Sequence, residues 1–175
     1  MDEVLAFWFA DKARWWKKDP AFDAEVKERF GALHEAVTRG EHEAWRATAR
    51  GALAYVIVLD QFPRNMFRGT PRAFASDDQA RRATVAAIEA GFDAALTPDE
   101  RAFLYMPLMH SESVDDQHRC VELFTKNGPA DNIDYAVRHR DIVVRFGRFP
   151  HRNEILGRDS TAEEIEFLKQ PGSSF

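Results

Sequence analysis

Apolar residues recur at helical spacing along most of the chain. Phe22, Val26, Phe30, Leu33 and Val37 fall three or four positions apart, after Asp19-Pro20 and before Gly40. A capping aspartate followed by a proline suited to the first helical position opens such a segment, so the pattern predicts a helix over 20–39 with one buried face. The next segment, predicted over 42–61, turns nearly all apolar in ALAYVIVL (52–59). Its second half is expected at the centre of the core, and Pro63 is expected to end it. Ser76 with Gln79, Thr97 with Glu100, Ser113 with Asp116 and Thr161 with Glu164 each fit a capping-box start, and Gly91 and Gly147 fit helix stops. YVIVL and DIVVRF could be strands in isolation, because β-branched runs favour extended chain. Each, however, closes a longer segment of helical spacing, and the alternation and hairpin glycines of a sheet are missing.

Eight helices are therefore predicted, at about 2–10, 20–39, 42–61, 77–90, 98–110, 114–126, 131–146 and 161–170. Short connections favour antiparallel neighbours, giving an all-α fold of helical hairpins in a compact bundle or an α-solenoid. The 175 residues suit one domain, 1–175, long enough to bury roughly 70% of the unfolded surface. A net charge of −5 argues against sequence-independent nucleic-acid binding. The N-terminus carries acids where a signal peptide needs bases, and no stretch approaches the about eighteen apolar residues of a membrane helix. One cysteine, Cys120, permits no internal disulfide. These features predict a cytoplasmic protein that meets neither membrane nor nucleic acid.

LDQFPRNMFRG (59–69) is nearly repeated by RFGRFPHRNEILGR (145–158). If successive helices alternate up and down, the odd-numbered ones end at one rim. Helix three ends in Asp60, Gln61, Phe62, Pro63, Arg64 and Asn65, helix five in His110, Ser111 and Glu112, and helix seven in Arg145 to Asn153. The near-repeat should then meet in space, with Trp15, Trp16, Ser76 and Asp77 at the same rim. Residues 138–158 hold six arginines, His139 and His151 against only Asp141 and Glu154. Arginine presents a planar fork that fits carboxylate or phosphate, so an anion is the expected ligand. Arg64 and Arg152 could equally pair with Asp60, Asp77 or Glu112 and tie loops together.

Other chemistries have weaker support. The histidines lack the i, i+4 spacing of helical zinc sites and there is no Glu-x-x-His pair, so neither metal nor other cofactor is expected. Ser111 lies beside His110 but outside any nucleophile elbow.

LDQFPRNMFRGTPRAFASD (59–77), FLYMPLMHSES (103–113) and RFGRFPHRNEILGRDSTAEE (145–164) resemble the signature segments of a bacterial family, domain of unknown function 924. The resemblance extends from Trp15-Trp16 to Phe175. It implies an all-helical fold similar to the tetratricopeptide-like superhelices and names no reaction. Family members usually carry glutamate where this chain has Met109. Carried over position by position, the signature selects Asp60, Gln61, Arg64, Asn65, Arg68, His110, Ser111, Glu112, Gln117, His139, Arg145, Arg148, His151, Arg152 and Asn153.

Two functions are consistent with these residues. In the first, a polar pocket binds a small anionic metabolite: Asp60, Gln61, Arg64, Asn65, Arg145, Arg148, Arg152 and Asn153 surround it, and His110, Glu112 and His151 are the candidates for moving a proton. In the second, a tetratricopeptide-like groove takes an acidic peptide. An open concave surface would favour the peptide, a small closed pocket the metabolite.

Overall fold

The computed structural model describes all 175 residues. Eight α-helices follow one another: α1 (Asp2–Phe9), α2 (Pro20–Thr38), α3 (Ala49–Met66), α4 (Asp77–Glu89), α5 (Pro98–Met109), α6 (Val114–Asn127), α7 (Ile133–Phe146) and α8 (Ala162–Leu168), with short 3-10 turns between them and no strand. The all-α expectation holds. Successive helices from α2 to α7 pack on each other, and α3 also packs on α5, and α5 on α7. Arg50 at the start of α3 pairs with Glu100 at the start of α5, while Asp60 near the end of α3 meets His110 at the end of α5. These two helices therefore run the same way. Between them α4 runs back, since its first residue, Asp77, pairs with Arg64.

Helix α3 is the centre of the molecule, because fourteen of its residues are buried, including the whole of 51–63. Around it a single core of 31 buried residues reaches from Val4 of α1 to Ala136 of α7. A smaller cluster, Ile142, Val143 and Phe149, packs against Phe146 and, from α8, Phe167.

Most of the predicted caps are present. Asp19 accepts from the backbone N–H groups of Ala21 and Phe22, and Thr97–Glu100 and Thr161–Glu164 form complete capping boxes. Ser113 accepts from Asp116, whose carboxylate takes the Ser111 hydroxyl instead of closing the box. The reciprocal box at Ser76 and Gln79 is not formed. Gln79 instead donates to the Val37 carbonyl and to Tyr55, and the Ser76 hydroxyl donates to the Leu59 carbonyl at 2.6 Å.

That last bond explains why α3 runs past its predicted end, while its start is set by a separate turn. Residues 43–47 form a separate 3-10 turn, and Thr48 caps a helix that begins at Ala49 and runs through Pro63 to Met66. The turn lies tight against the helix: a Cβ at Gly51 would come within 2.0 Å of the Trp45 carbonyl oxygen. Proline inside a helix removes the bond from its own position to the carbonyl four residues back, here Leu59. Ser76, arriving from the start of α4, supplies the missing donor. A second correction concerns Trp15 and Trp16, which pack on Phe103 in the first half of α5, near where Lys12 pairs with Asp99. They belong toward the opposite rim, because the loop before α2 folds along α5 instead of staying at the start of α2.

Ser76→Ala should cost about 1–3 kcal/mol of unfolding free energy, the penalty for a buried carbonyl without a donor. In a Pro63→Ala background the N–H regained at position 63 can serve Leu59, so the cost should shrink. Urea denaturation of the four proteins measures both, and equal costs in the two backgrounds would disprove the link.

Candidate functional site

The ends of α3, α5 and α7 converge with the start of α4. Asp60 has no exposed surface. Its Oδ1 lies 2.8 Å from His110 Nδ1 and 3.3 Å from Arg64 Nη1, and its Oδ2 accepts from Gln61 Nε2 at 2.5 Å. Burial pushes the Asp60 carboxyl up, yet Arg64, His110 and Gln61 together hold it well below the usual carboxylate range. An ionised carboxylate only accepts, so Nδ1 of His110 carries the proton and Nε2 keeps its lone pair. Burial, reinforced by the Arg64 charge, lowers the His110 pKa in spite of Asp60, and the imidazole is neutral at pH 7.

Arg64 continues the chain of contacts. Its guanidinium grips Asp77 bidentately, Nη1 to Oδ1 at 2.8 Å and Nη2 to Oδ2 at 3.0 Å, and also donates to the Asp60 carbonyl at 2.7 Å. Arg152 reaches the same Asp77 less closely, with Nη1 3.5 Å from Oδ2. The two arginines of the near-repeat thus meet on one carboxylate.

Arg152 is the anomaly. It is only 7% exposed, its side chain makes no hydrogen bond, and its buried Nε has no partner. Phe74 and Phe149 pack against the guanidinium with their ring centroids 4.7 and 4.5 Å from its central carbon. Burial and the neighbouring Arg64 charge depress its pKa to about 10, against the pull of Asp77 and Glu112. A buried cation left this poorly matched is where an anion would bind best.

Two more histidines border it. His139 donates from Nδ1 to the Tyr135 carbonyl at 2.7 Å, which leaves Nε2 as an acceptor, and burial lowers its pKa to about 3. His151 has a buried Nδ1 without a partner, and burial with the Arg152 charge lowers its pKa to about 4. The His110 and His139 rings lie 6.4 Å apart, and the Phe175 ring stacks on His139 at 3.7 Å. No group of three His, Cys, Asp or Glu side chains is arranged to hold a metal ion.

The other predicted residues are engaged elsewhere. Asn65 and Arg68 both bind Asp23 at the start of α2. Arg145 pairs with Glu163, and Arg148 with Glu164 and the Asp159 carbonyl. Asn153 holds Ser160 and accepts from Arg158. Glu112 accepts from the Phe149 N–H at 2.7 Å and from both terminal nitrogens of Arg158, which hold it as a carboxylate with neither oxygen free. Of the proposed set, the structure brings together Asp60, Gln61, Arg64, His110, His151 and Arg152. Helix parity places Asp77 at this rim and charge makes it a possible arginine partner, whereas Phe74, Phe149 and Phe175 carry no polar signal in the sequence.

Residues 4–172 match a family described as bacterial protein of unknown function, DUF924. The chain is also similar to the solved structure of ATU0120, a protein of unknown function from Agrobacterium tumefaciens, at 43% identity, with 96% of each chain covered and a TM-score of 0.92. No curated protein matches the chain.

The buried neutral histidines fix a pH dependence. Each has a folded pKa below its ordinary 6.5, so the unfolded chain binds protons first as pH falls. Their contribution to stability is complete above about pH 6.5 and is lost progressively toward pH 4 and below. His34, buried beside Ser76, adds in the same direction. His139→Gln should reduce the slope of unfolding free energy against pH, between about 6 and 4, by up to about 1.4 kcal/mol per pH unit. Denaturant titrations at several pH values would show it, and an unchanged slope would mean that His139 titrates normally.

Proposed function

The chain belongs to the bacterial DUF924 family, and we propose that in this member the rim formed by α3, α5 and α7 binds a small anionic metabolite on Arg152 and transfers a proton through His110. One observation carries this reading: a guanidinium more than nine-tenths buried that makes no side-chain hydrogen bond. Asp77 does not neutralise it well, because Asp77 is already held bidentately by Arg64. An anion docking on the free N–H edge would satisfy the charge, and Arg64 would add to the local positive potential.

His110 is suited to be the base. The Asp60 carboxylate fixes its tautomer, leaving Nε2 to take a proton from the bound molecule, and would stabilise the imidazolium that forms. Burial and the Arg64 charge oppose that imidazolium, which keeps the base weak until an anion screens the arginine. His151 and His139, neutral and partly unpartnered, would orient the ligand. Glu112 serves in this reading as a brace for the 149–158 segment. Closure of the rim favours a metabolite over an acidic peptide: α8 is fastened across the end of α7 through Arg145–Glu163 and Arg148–Glu164, and Phe175 lies over His139.

Arg152→Met keeps the stem packing while removing the charge. The net depression of its pKa, burial and Arg64 against the neighbouring carboxylates, corresponds to a cost on the order of 3 kcal/mol, so without ligand the variant should melt at the wild-type temperature or above it. Millimolar phosphate or a small carboxylate should raise the melting temperature of wild type and leave the variant unchanged. If neither anion shifts wild type and the variant melts several degrees lower, Arg152 is a structural tie and the proposed site is wrong.

A further inference from the structure

We propose that the anion taken by this rim is a planar aromatic carboxylate whose ring stacks on His139, and that the Phe175 ring occupies that stacking position in the protein without ligand. This rests on the anion site at Arg152 and specifies what accompanies the negative charge. The Phe175 ring lies nearly parallel to the His139 imidazole, 18° apart with centroids separated by 3.7 Å, and stands nearly edge-on to His151 at 6.0 Å. Such close parallel contact marks the imidazole face as a platform for a flat ring.

Little else holds Phe175 there. The residue is 51% exposed, and neither it nor Ser174 makes a hydrogen bond; the last bonds of the segment are those of Ser173, from its N–H to Gln170 and from its hydroxyl to Leu168. A half-exposed ring retained by one stacked face is readily exchanged for another ring. The groups around the platform supply the remainder of a recognition set. Arg152 and His139 both border the Phe149 ring, so the guanidinium and the platform belong to one cluster that an aryl carboxylate would span. His151, whose ring borders both Phe149 and Phe175, adds an unpartnered Nδ1 to the same cluster. A bare phosphate would use Arg152 alone, whereas an aryl carboxylate would use both the arginine and the platform.

Other candidates carry less. Two surface cavities lie away from this rim, about 190 Å³ beside Glu43 and Arg46 and about 390 Å³ beside Glu3 and Arg29, and the charges lining them already pair with each other.

Benzoate, cyclohexanecarboxylate and inorganic phosphate serve as probes, titrated calorimetrically into wild type, Phe175→Ala and Arg152→Met. Wild type should prefer benzoate to cyclohexanecarboxylate by about five-fold or more, the gain expected of a stacked ring pair. Removing the competing ring in Phe175→Ala should tighten benzoate by about three-fold or more and leave phosphate within about two-fold. Arg152→Met should lose all three. Equal affinity for the two carboxylates, or weaker benzoate binding in Phe175→Ala, overturns the stacking proposal while phosphate binding preserves the anion site. If none of the three binds wild type or Phe175→Ala, the anion site falls as well.

Discussion

The carboxylate of Asp60 is the constraint on which this end of the protein depends. It is charged, wholly buried, and satisfied by three side chains from two helices. Burying an ion without such partners costs several kcal/mol, so α3 and α5 cannot slide past each other without exposing the charge or stranding it. Arg64 passes the constraint to α4 through Asp77, and Asp77 passes it to the 150–152 turn through Arg152. The step from Arg64 to Asp77 is bidentate at 2.8 and 3.0 Å, and the step from Asp77 to Arg152 is the loose one, at 3.5 Å. The polar contacts are strongest at Asp60 and weakest at Arg152, whose guanidinium is left without a hydrogen-bonded partner.

The fold was legible because each level of the sequence agreed with the others: apolar spacing, caps and glycine stops all described helices of similar bounds. Direction followed from order alone, and the meeting of Asp60 with His110 and of Arg64 with Arg152 on Asp77 is what alternating helices require. The misreadings have local physical causes. Pro63 looked like a terminator because the sequence cannot show a donor arriving from thirteen residues further on, and Ser76 looked like a cap because its hydroxyl's other use lay in a different helix. Trp15 and Trp16 were placed by parity, which says nothing about a loop that folds back along a helix.

Part of the site was legible and part was not. Arginine-rich patterning found the right turn but could not sort its members, since Arg145, Arg148 and Arg158 find carboxylates at close range and Arg152 does not. Only the distribution of partners separates braces from a binding group. His139 offered no spacing signal because its role depends on a carbonyl one turn earlier in its own helix and on Phe175, thirty-six residues later. Aromatic residues that cover a polar site look, in sequence, like any other core residue.

The bond from Ser76 to Leu59 also has a consequence for the order in which the molecule assembles. The Leu59 carbonyl, just before the turn that carries Asp60 to Arg64, loses its usual donor at Pro63 and takes one from Ser76 when the start of α4 docks. The apolar stretch 52–59 precedes Pro63 and can coil by itself, whereas the turn that follows has its hydrogen bonding completed by residue 76. The end of α3 is therefore a tertiary product. The polar cluster it bears includes Asp77, next to Ser76, so the docking that completes the helix also completes the cluster.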